Sequence, residues 1–559
     1  MSDHVGTLSE KQIIKNFGDT MEKEAASIPT NGSNTLSEDA LRLAQLGHAQ
    51  ELRRQYSLFS LCALCVCLMA TWEALSTVVA TALLSGGAPC LFYNLVLSAV
   101  CSLCIASSLG EIASIYPTAG GQYHWVAALT PSSIRSFASF VTGWISIGGQ
   151  VVLTSSAAFA AGLQTQSLII VNDGSYAPQR WQGMLFYWAV LVYSLVLNIW
   201  GHKLLPTTNT VSGRCFRPVQ LVHVFANHLC TGIIHVVGFV TILIVLGVMA
   251  PKNSASFVFT EFTNYSGWGN DGVSWLVGLL SAVYPFLGYD AACHLAEEMP
   301  HASRNVPLAM VGSVGVNGLM GLVYATMLLF STGPLEALLQ TPTGFPFMQI
   351  FLDVTESTAA ATVLSLILIC IAIAATVAGT TSTSRTLWAF ARDRSTPFDK
   401  QLSKVNRRLQ IPVYAVVVVI VLQMLLGFIY IGNTTAFNAI LSMAIIGMYS
   451  SYAFPIIAML FQRQRLLSTN GFGPFRLGRI GGLVANIVSL VWIGVVIIFS
   501  TFPTTMPVTP QNMNYSIVVV TGWVLVGVLY YIFRGKYKFQ VPNVDSDIVD
   551  GIPEPRYSF

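Results

Sequence analysis

The chain has 559 residues, of which 53% are hydrophobic and only 9% charged, and its mean hydropathy is +0.63. A soluble domain carries about 25% charged residues, so this composition excludes a water-soluble globular fold and implies a polytopic membrane protein. The net charge of +3 is segregated into a few segments, which argues against nucleic acid as a partner and for the lipid bilayer as the surrounding medium.

The first 57 residues form a polar amino-terminal tail. Residues 1–34 are rich in Ser, Thr, Asn, Glu and Lys and predict disorder. Thr35 and Glu38 then stand at capping-box spacing ahead of Leu41, Leu43, Leu46 and Leu52, which predicts a short amphipathic helix over 35–54. No cleavable signal peptide is expected in so polar a start, so the first span serves as the membrane signal.

Twelve apolar runs follow, each near the length of about 20 residues that crosses a bilayer. The first five, 58–84, 90–109, 136–163, 182–200 and 233–250, make one unit over 58–250. The next five, 274–295, 308–330, 359–384, 413–430 and 435–461, make a second over 274–461. Two more, 481–500 and 515–533, fill 481–533, and residues 534–559 are a carboxyl-terminal tail. With both termini placed in the cytoplasm, 26 of the 28 basic residues fall in cytoplasmic segments, and only Arg180 and Lys252 lie outside. The N-x-S/T sequons at Asn264, Asn433 and Asn514 then face outward, while Asn31 lies in the tail.

Most of the ten cysteines lie inside apolar runs. The C-x-x-C pairs Cys62/Cys65 and Cys101/Cys104 therefore read as small packing groups, and no metal site is expected. Residues 214–232 hold Cys and His in no zinc-finger order. They read as an ordinary loop, a regulatory loop, or an insertion from a retained intron.

Polar groups at membrane depth mark the candidate site. In the sixth run, Pro285 and Gly288 precede Asp290, a pattern that predicts a helix broken around a polar centre. The first run carries Thr71-Trp72-Glu73-Ala74, which matches Gly288-Tyr289-Asp290-Ala291 in its aromatic-carboxylate-alanine order. Because each heads a five-span unit, an inverted repeat is expected, with substrate between the two discontinuous helices. The first run lacks a central Gly or Pro, so its break is the less legible of the two.

Charge at membrane depth is costly and therefore functional by default. Glu73 and Asp290 are the proton-coupling candidates, since burial favours the neutral form of a carboxylate and lets it take and release a proton. His235 qualifies by its intrinsic pKa, but a position near the interface makes it read as a surface histidine. Trp72, Tyr284, Phe286 and Tyr289 could cage an ammonium group by cation–π attraction, or could simply pack. Gln150, Thr380, Thr381 and Ser382 could add neutral hydrogen bonds. Residues 111–127, with a Pro, two Gly and several aromatics including Tyr123 and Trp125, cannot stay one straight helix and predict an inner gate. Arg385, near the end of the eighth run, is its expected partner.

The segments EIASIYPTAGGQYHWVA, GYDAACHLAEEM and SRTLWAFARD resemble the amino acid/choline transporter branch of the amino acid–polyamine–organocation superfamily, in particular its fungal members. The resemblance extends over roughly residues 46–533. It implies an all-α fold of five plus five inverted helices with helices 1 and 6 broken, and two extra helices. It also implies alternating access and uptake of amino acids, gamma-aminobutyrate or choline, often driven by protons, with no cofactor. Carried onto this chain, the substrate site would use Thr71, Trp72 and Glu73 with Tyr284, Gly288, Tyr289 and Asp290. Two departures stand out. ATWEA replaces the glycine-rich break that binds a substrate carboxylate in the wider superfamily, and Arg394-Ser395-Thr396-Pro397 replaces a glycine-rich stretch. A transporter in the plasma membrane is the expectation; a nutrient receptor on the same fold, or an exchanger or facilitator, is the alternative. An enzyme has no nucleophile and base constellation to support it.

Overall fold

Two runs that hydropathy marks as single spans are each interrupted at mid-length, and the rest of the bundle holds the two interruptions against each other. The computed structural model describes residues 43, 51–52, 54, 56–204, 219–432, 436–469, 471–510 and 512–542, with side chains undescribed at 202–204, 219–231, 432 and 436. Residues 1–34, most of the predicted helix over 35–54, and residues 214–218 of the suspected insertion lie outside the described residues. The described chain is helical, and no β-strand occurs among the described residues.

Helix α1 (Leu58–Met69) starts at a reciprocal cap between Ser57 and Ser60 and stops at Ala70, whose φ of 42° and ψ of 49° are left-handed. Such a conformation costs an alanine about 1–2 kcal/mol. Neighbours offset it. The Asn317 side chain accepts from the Thr71 N–H (3.4 Å) and donates to the Val66 carbonyl (3.4 Å), and Thr71 Oγ1 donates to the Pro285 carbonyl (2.7 Å). The signal for this break is therefore an asparagine about 250 residues away. No local glycine is required.

Helix α2 (Thr71–Ile115) has non-helical backbone at Gly87, followed by Pro89. At about 1.5 Å per residue its 45 residues would far exceed a hydrocarbon core of about 30 Å, so the bend at Gly87 returns the chain across the bilayer. Short α3 (Gln122–Leu129) precedes α4 (Ser132–Asn172), α5 (Arg180–Leu204) and α6 (Val219–Met249). The α6 backbone begins within the suspected insertion, so residues 219–232 continue the fifth span as helix.

The second interruption comes as α7 (Asp271–Val277), α8 (Leu279–Val283), a 3-10 turn (Tyr284–Phe286) and α9 (Ala291–His294). Gly288 sits between them at φ 107°, and a Cβ there would lie 3.1 Å from Leu68 Cγ of α1. Only glycine allows both that backbone and that crossing. Then come α10 (Ala302–Phe330), α11 (Pro346–Thr355), α12 (Thr358–Arg392), α13 (Val413–Leu426), α14 (Ala436–Thr469), α15 (Arg479–Phe499) and α16 (Ser516–Tyr530). α4 and α14 meet backbone to backbone, where a Cβ on Gly447 would lie 2.7 Å from Gly149 Cα.

Eleven helical runs among the described residues are long and apolar enough to cross a membrane. The first, Leu58–Ile115, contains both predicted runs 58–84 and 90–109, and each of the other ten coincides with one predicted run. The outer faces are apolar: Val248, Phe461, Val518 and Phe533 are all exposed, as lipid contact requires. The chain is a multi-pass membrane protein. Of the sequons, Asn514 is not presented: it is buried, and its amide donates to Ser442, Ser500 and Phe502. Asn31 and Asn433 lie outside the described residues.

Candidate functional site

Both predicted carboxylates lie at the interruptions, and each meets an imidazole. Glu73 stands in the first turn of α2, just past Ala70, where the helix dipole favours a negative group. Its Oε1 is 2.6 Å from His235 Nδ1, and both side chains are buried. His235 is thus no surface histidine. The α6 backbone begins at Val219, so His235 lies 16 residues (about 24 Å) along that helix, far deeper than a span starting at 233 would put it. The pair sits in an apolar setting. The Trp72 ring packs at 5.3 Å from Tyr324, 5.8 Å from His235 and 6.0 Å from Phe239, and Ser76 shares a 2.6 Å hydrogen bond with Tyr324. Glu73 Oε2, His235 Nε2 and Trp72 Nε1 are buried without a hydrogen-bond partner.

The second carboxylate is surrounded by polar groups. Asp290 Oδ2 accepts from Gln122 Nε2 (3.0 Å) and lies 3.4 Å from His294 Nε2. His294 Nε2 is also 2.7 Å from Gln150 Nε2, and its Nδ1 is 3.1 Å from the Ala119 carbonyl. Gln150 Oε1 accepts from Thr386 (2.8 Å), and Thr383 reaches the Gln150 carbonyl at 3.5 Å. Gln150 therefore joins α4 to α9 and α12. The Tyr289 ring stacks obliquely on Tyr452 at 5.6 Å, and its hydroxyl is buried without a partner.

The four aromatics expected to form one cage are divided. Trp72 belongs to the Glu73 corner and Tyr289 to the Asp290 corner, while Tyr284 is tied to Ser156 at 2.8 Å. Among the described residues no ring pair joins Trp72 to Tyr284, Phe286 or Tyr289; Phe286 is fully buried at the α10 side, close to Gly318. Thr71 spends its hydroxyl on Pro285, and Thr380 accepts from Ser194 (2.9 Å), so both brace helices.

The end of the bundle that carries residues 111–127 is closed by buried ion pairs. Arg385 Nε donates to Glu298 (2.9 Å), and Arg392 grips Glu297 with both terminal nitrogens (3.0 and 2.9 Å). Glu297 also accepts the Ala119 N–H at 3.3 Å. Arg385 was expected to face residues 111–127, yet its partner comes from the segment after α9. Contact between 111–127 and the end of α12 instead runs through Tyr123, whose hydroxyl donates to Asp393 at 2.8 Å. Trp125 donates to the Tyr116 carbonyl (2.9 Å) and stiffens the turn from within. Burial pushes the Asp393 carboxyl up to about 7, against the opposing pull of Arg392 and the Tyr123 hydroxyl.

Sequence reading passed over His294, Gln122, Glu297, Arg392 and Asp393. The available signal was HLAEE at 294–298, one helical turn beyond Asp290, and ARD at 391–393, two turns beyond Arg385. Arg392 and Asp393 fall outside a span that ends at 384, whereas α12 continues two turns further because no breaker precedes Ser395-Thr396-Pro397.

Comparison with known proteins adds the lineage. A choline transporter of Saccharomyces cerevisiae is 29% identical over 87% of this chain and 83% of its own length. An uncharacterized amino-acid permease of Schizosaccharomyces pombe is 30% identical, covering 91% and 90%. A GABA-specific permease of S. cerevisiae is 27% identical, covering 89% and 84%. Among solved structures, a manganese transporter of Eremococcus coleocola superposes with a TM-score of 0.53 over 91% of this chain and 97% of that one, at 13% identity, a likeness of fold alone. The family model described as amino acid permease matches residues 56–524, and with that extent the chain belongs to the amino acid permease family.

Proposed function

We propose that this protein is a proton-coupled symporter that moves a small amino compound, such as an amino acid, gamma-aminobutyrate or choline, by alternating access. The observation that carries this reading is the crossing of two interrupted helices with one buried carboxylate at each interruption, Glu73 and Asp290. Interrupted helices free backbone groups and dipole ends for a ligand at mid-membrane. The names of the yeast relatives, a choline transporter and a GABA-specific permease, share an ammonium or amino group, which a carboxylate and tyrosine faces attract.

In this reading the ammonium of the substrate lies against Asp290 and Tyr289, and Glu73 with His235 holds the transported proton in a dry corner. The ion pairs at Glu297 and Glu298 are the closed inner gate, and that end faces the cytoplasm together with both termini. The plasma membrane is the proposed location, with the proton gradient as driving force. Uptake of radiolabelled gamma-aminobutyrate, choline and a panel of amino acids by transport-deficient yeast, with and without a protonophore, tests this. Saturable uptake abolished by the protonophore is expected. No uptake of any compound despite surface expression would overturn it in favour of a receptor.

A further inference from the structure

The geometry points to His294 as a second proton site, one whose protonation decides whether the Asp290 charge is available to a cationic substrate. This rests on the reading of Asp290 as the substrate contact. His294 is fully buried on α9, so each of its ring nitrogens needs a protein partner. Nδ1 faces the Ala119 carbonyl at 3.1 Å. A carbonyl only accepts, so Nδ1 carries a hydrogen in every state.

The state of Nε2 is then the open variable. Two groups face it: the Gln150 amide at 2.7 Å and Asp290 Oδ2 at 3.4 Å. In neutral His294, Nε2 accepts from the Gln150 amide, Thr386 donates to Gln150 Oε1, and Asp290 accepts from Gln122 beside the Tyr452 side chain. Asp290 keeps its charge for a ligand. In protonated His294, Nε2–H donates to Asp290, and the Gln150 amide turns over to present Oε1. The Thr386 hydroxyl then accepts from Gln150 and donates to the Ser382 carbonyl, which already lies 3.2 Å away. The polar atoms of His294 and Thr386 and both amide atoms of Gln150 have a partner in both states, so this part of the network exchanges one arrangement for the other without stranding a polar group.

The charged and titratable groups around His294 leave this equilibrium to Asp290. Cys293 shares its segment, Cys65 of α1 donates to the Tyr289 carbonyl, and Tyr452 of α14 faces Asp290. On α12, Arg385 and Arg392 are bound to Glu298 and Glu297, the second of which also takes the Ala119 N–H. That last contact links the site to the gate: residue Ala119 carries the His294 bond on its carbonyl oxygen and the Glu297 bond on its amide nitrogen.

The test uses the purified full chain in nanodiscs, labelled with 15N-histidine. The His294 signals are taken from the difference between wild type and His294→Gln. At high pH the signal should show hydrogen on Nδ1 alone, and on acidification it should become doubly protonated. Asp290→Asn should lower the proton affinity at least tenfold, a shift of about one pH unit downward, and Gln150→Glu, which can only accept, should raise it by at least as much. Those opposite signs would not arise from packing alone. If either variant fails to fold, the wild-type titration still decides: a His294 signal that carries hydrogen on Nε2 at high pH, or that never titrates between pH 5 and 9, overturns the proposal. In parallel, binding of tritiated choline should weaken on acidification in wild type and become pH-independent in His294→Gln. A His294 that titrates in a protein that takes up nothing in yeast would overturn transport and leave the proton site standing.

Discussion

The two carboxylate–imidazole pairs at the interruptions are made from the same residue types and placed in opposite surroundings. Glu73 and His235 touch at 2.6 Å between Trp72, Phe239 and Tyr324, with one atom of each left unsatisfied. Asp290 and His294 stand 3.4 Å apart within a chain of amides and hydroxyls in which Asp290 Oδ2 and both His294 ring nitrogens have partners. A dry pair has little to exchange with except its own proton or an arriving ligand, because unpaired charge there is expensive. A wired pair can reorganise at low cost, because each lost hydrogen bond is replaced by another. Under the proposed symport, the contrast is the reason for giving proton storage to the first corner and ligand-linked rearrangement to the second.

The sharpest way to break that division is Glu73→Gln. The variant keeps the shape and a hydrogen bond to His235 but cannot carry the proton, so proton-driven accumulation in the yeast assay should be lost entirely while substrate binding persists. Unchanged pH dependence and affinity would remove Glu73 from coupling. Next in size is Arg392→Ala, which leaves Glu297 buried beside Glu298. Breaking a buried pair costs about 3–5 kcal/mol, and the expected result is an opened end, read as faster labelling of Cys65 and Cys293 by an impermeant maleimide. An unchanged labelling rate would mean that the pair does not hold the gate.

Gly288→Ala should cost about 1–3 kcal/mol in backbone strain, with more from the approach of Leu68. A detergent melting curve lowered by several degrees, with reduced uptake, is expected; wild-type melting would show that the crossing has slack. The smallest effect concerns Asp393. Its carboxyl is raised to about 7 by burial, so its contribution to stability is complete below its unfolded value near 4 and is lost as pH rises through about 7. Wild type should therefore melt at lower temperature as pH goes from 5 to 8, and Asp393→Asn should flatten that slope. An equally steep slope in the variant would place the effect elsewhere.

Much of this molecule is legible in one dimension because bilayer crossing is a local demand. A run of about 20 apolar residues must satisfy its own backbone, whatever its neighbours do, and so the twelve predicted runs coincide with helical segments. Pro285 and Gly288 announce the second interruption for the same reason. The first interruption carries no such mark, since Asn317 and Pro285 supply its missing hydrogen-bond partners from other helices. His235 was misplaced because its depth depends on where α6 begins, and its partner is 162 residues away. Arg385 was paired with the wrong segment because its partner, Glu298, is brought to it by the fold from 87 residues away.

Composition, charge segregation and apolar length were enough to establish an all-helical, multi-pass membrane protein and to single out Glu73 and Asp290 as costly residues. Which imidazole each carboxylate meets, and whether it meets it dry or within a network, was decided only by the packing of α1, α6, α9 and α12. Hydropathy is a sum over neighbours in sequence, whereas a buried charge is stabilised or penalised by whatever neighbours the fold brings within about 4 Å.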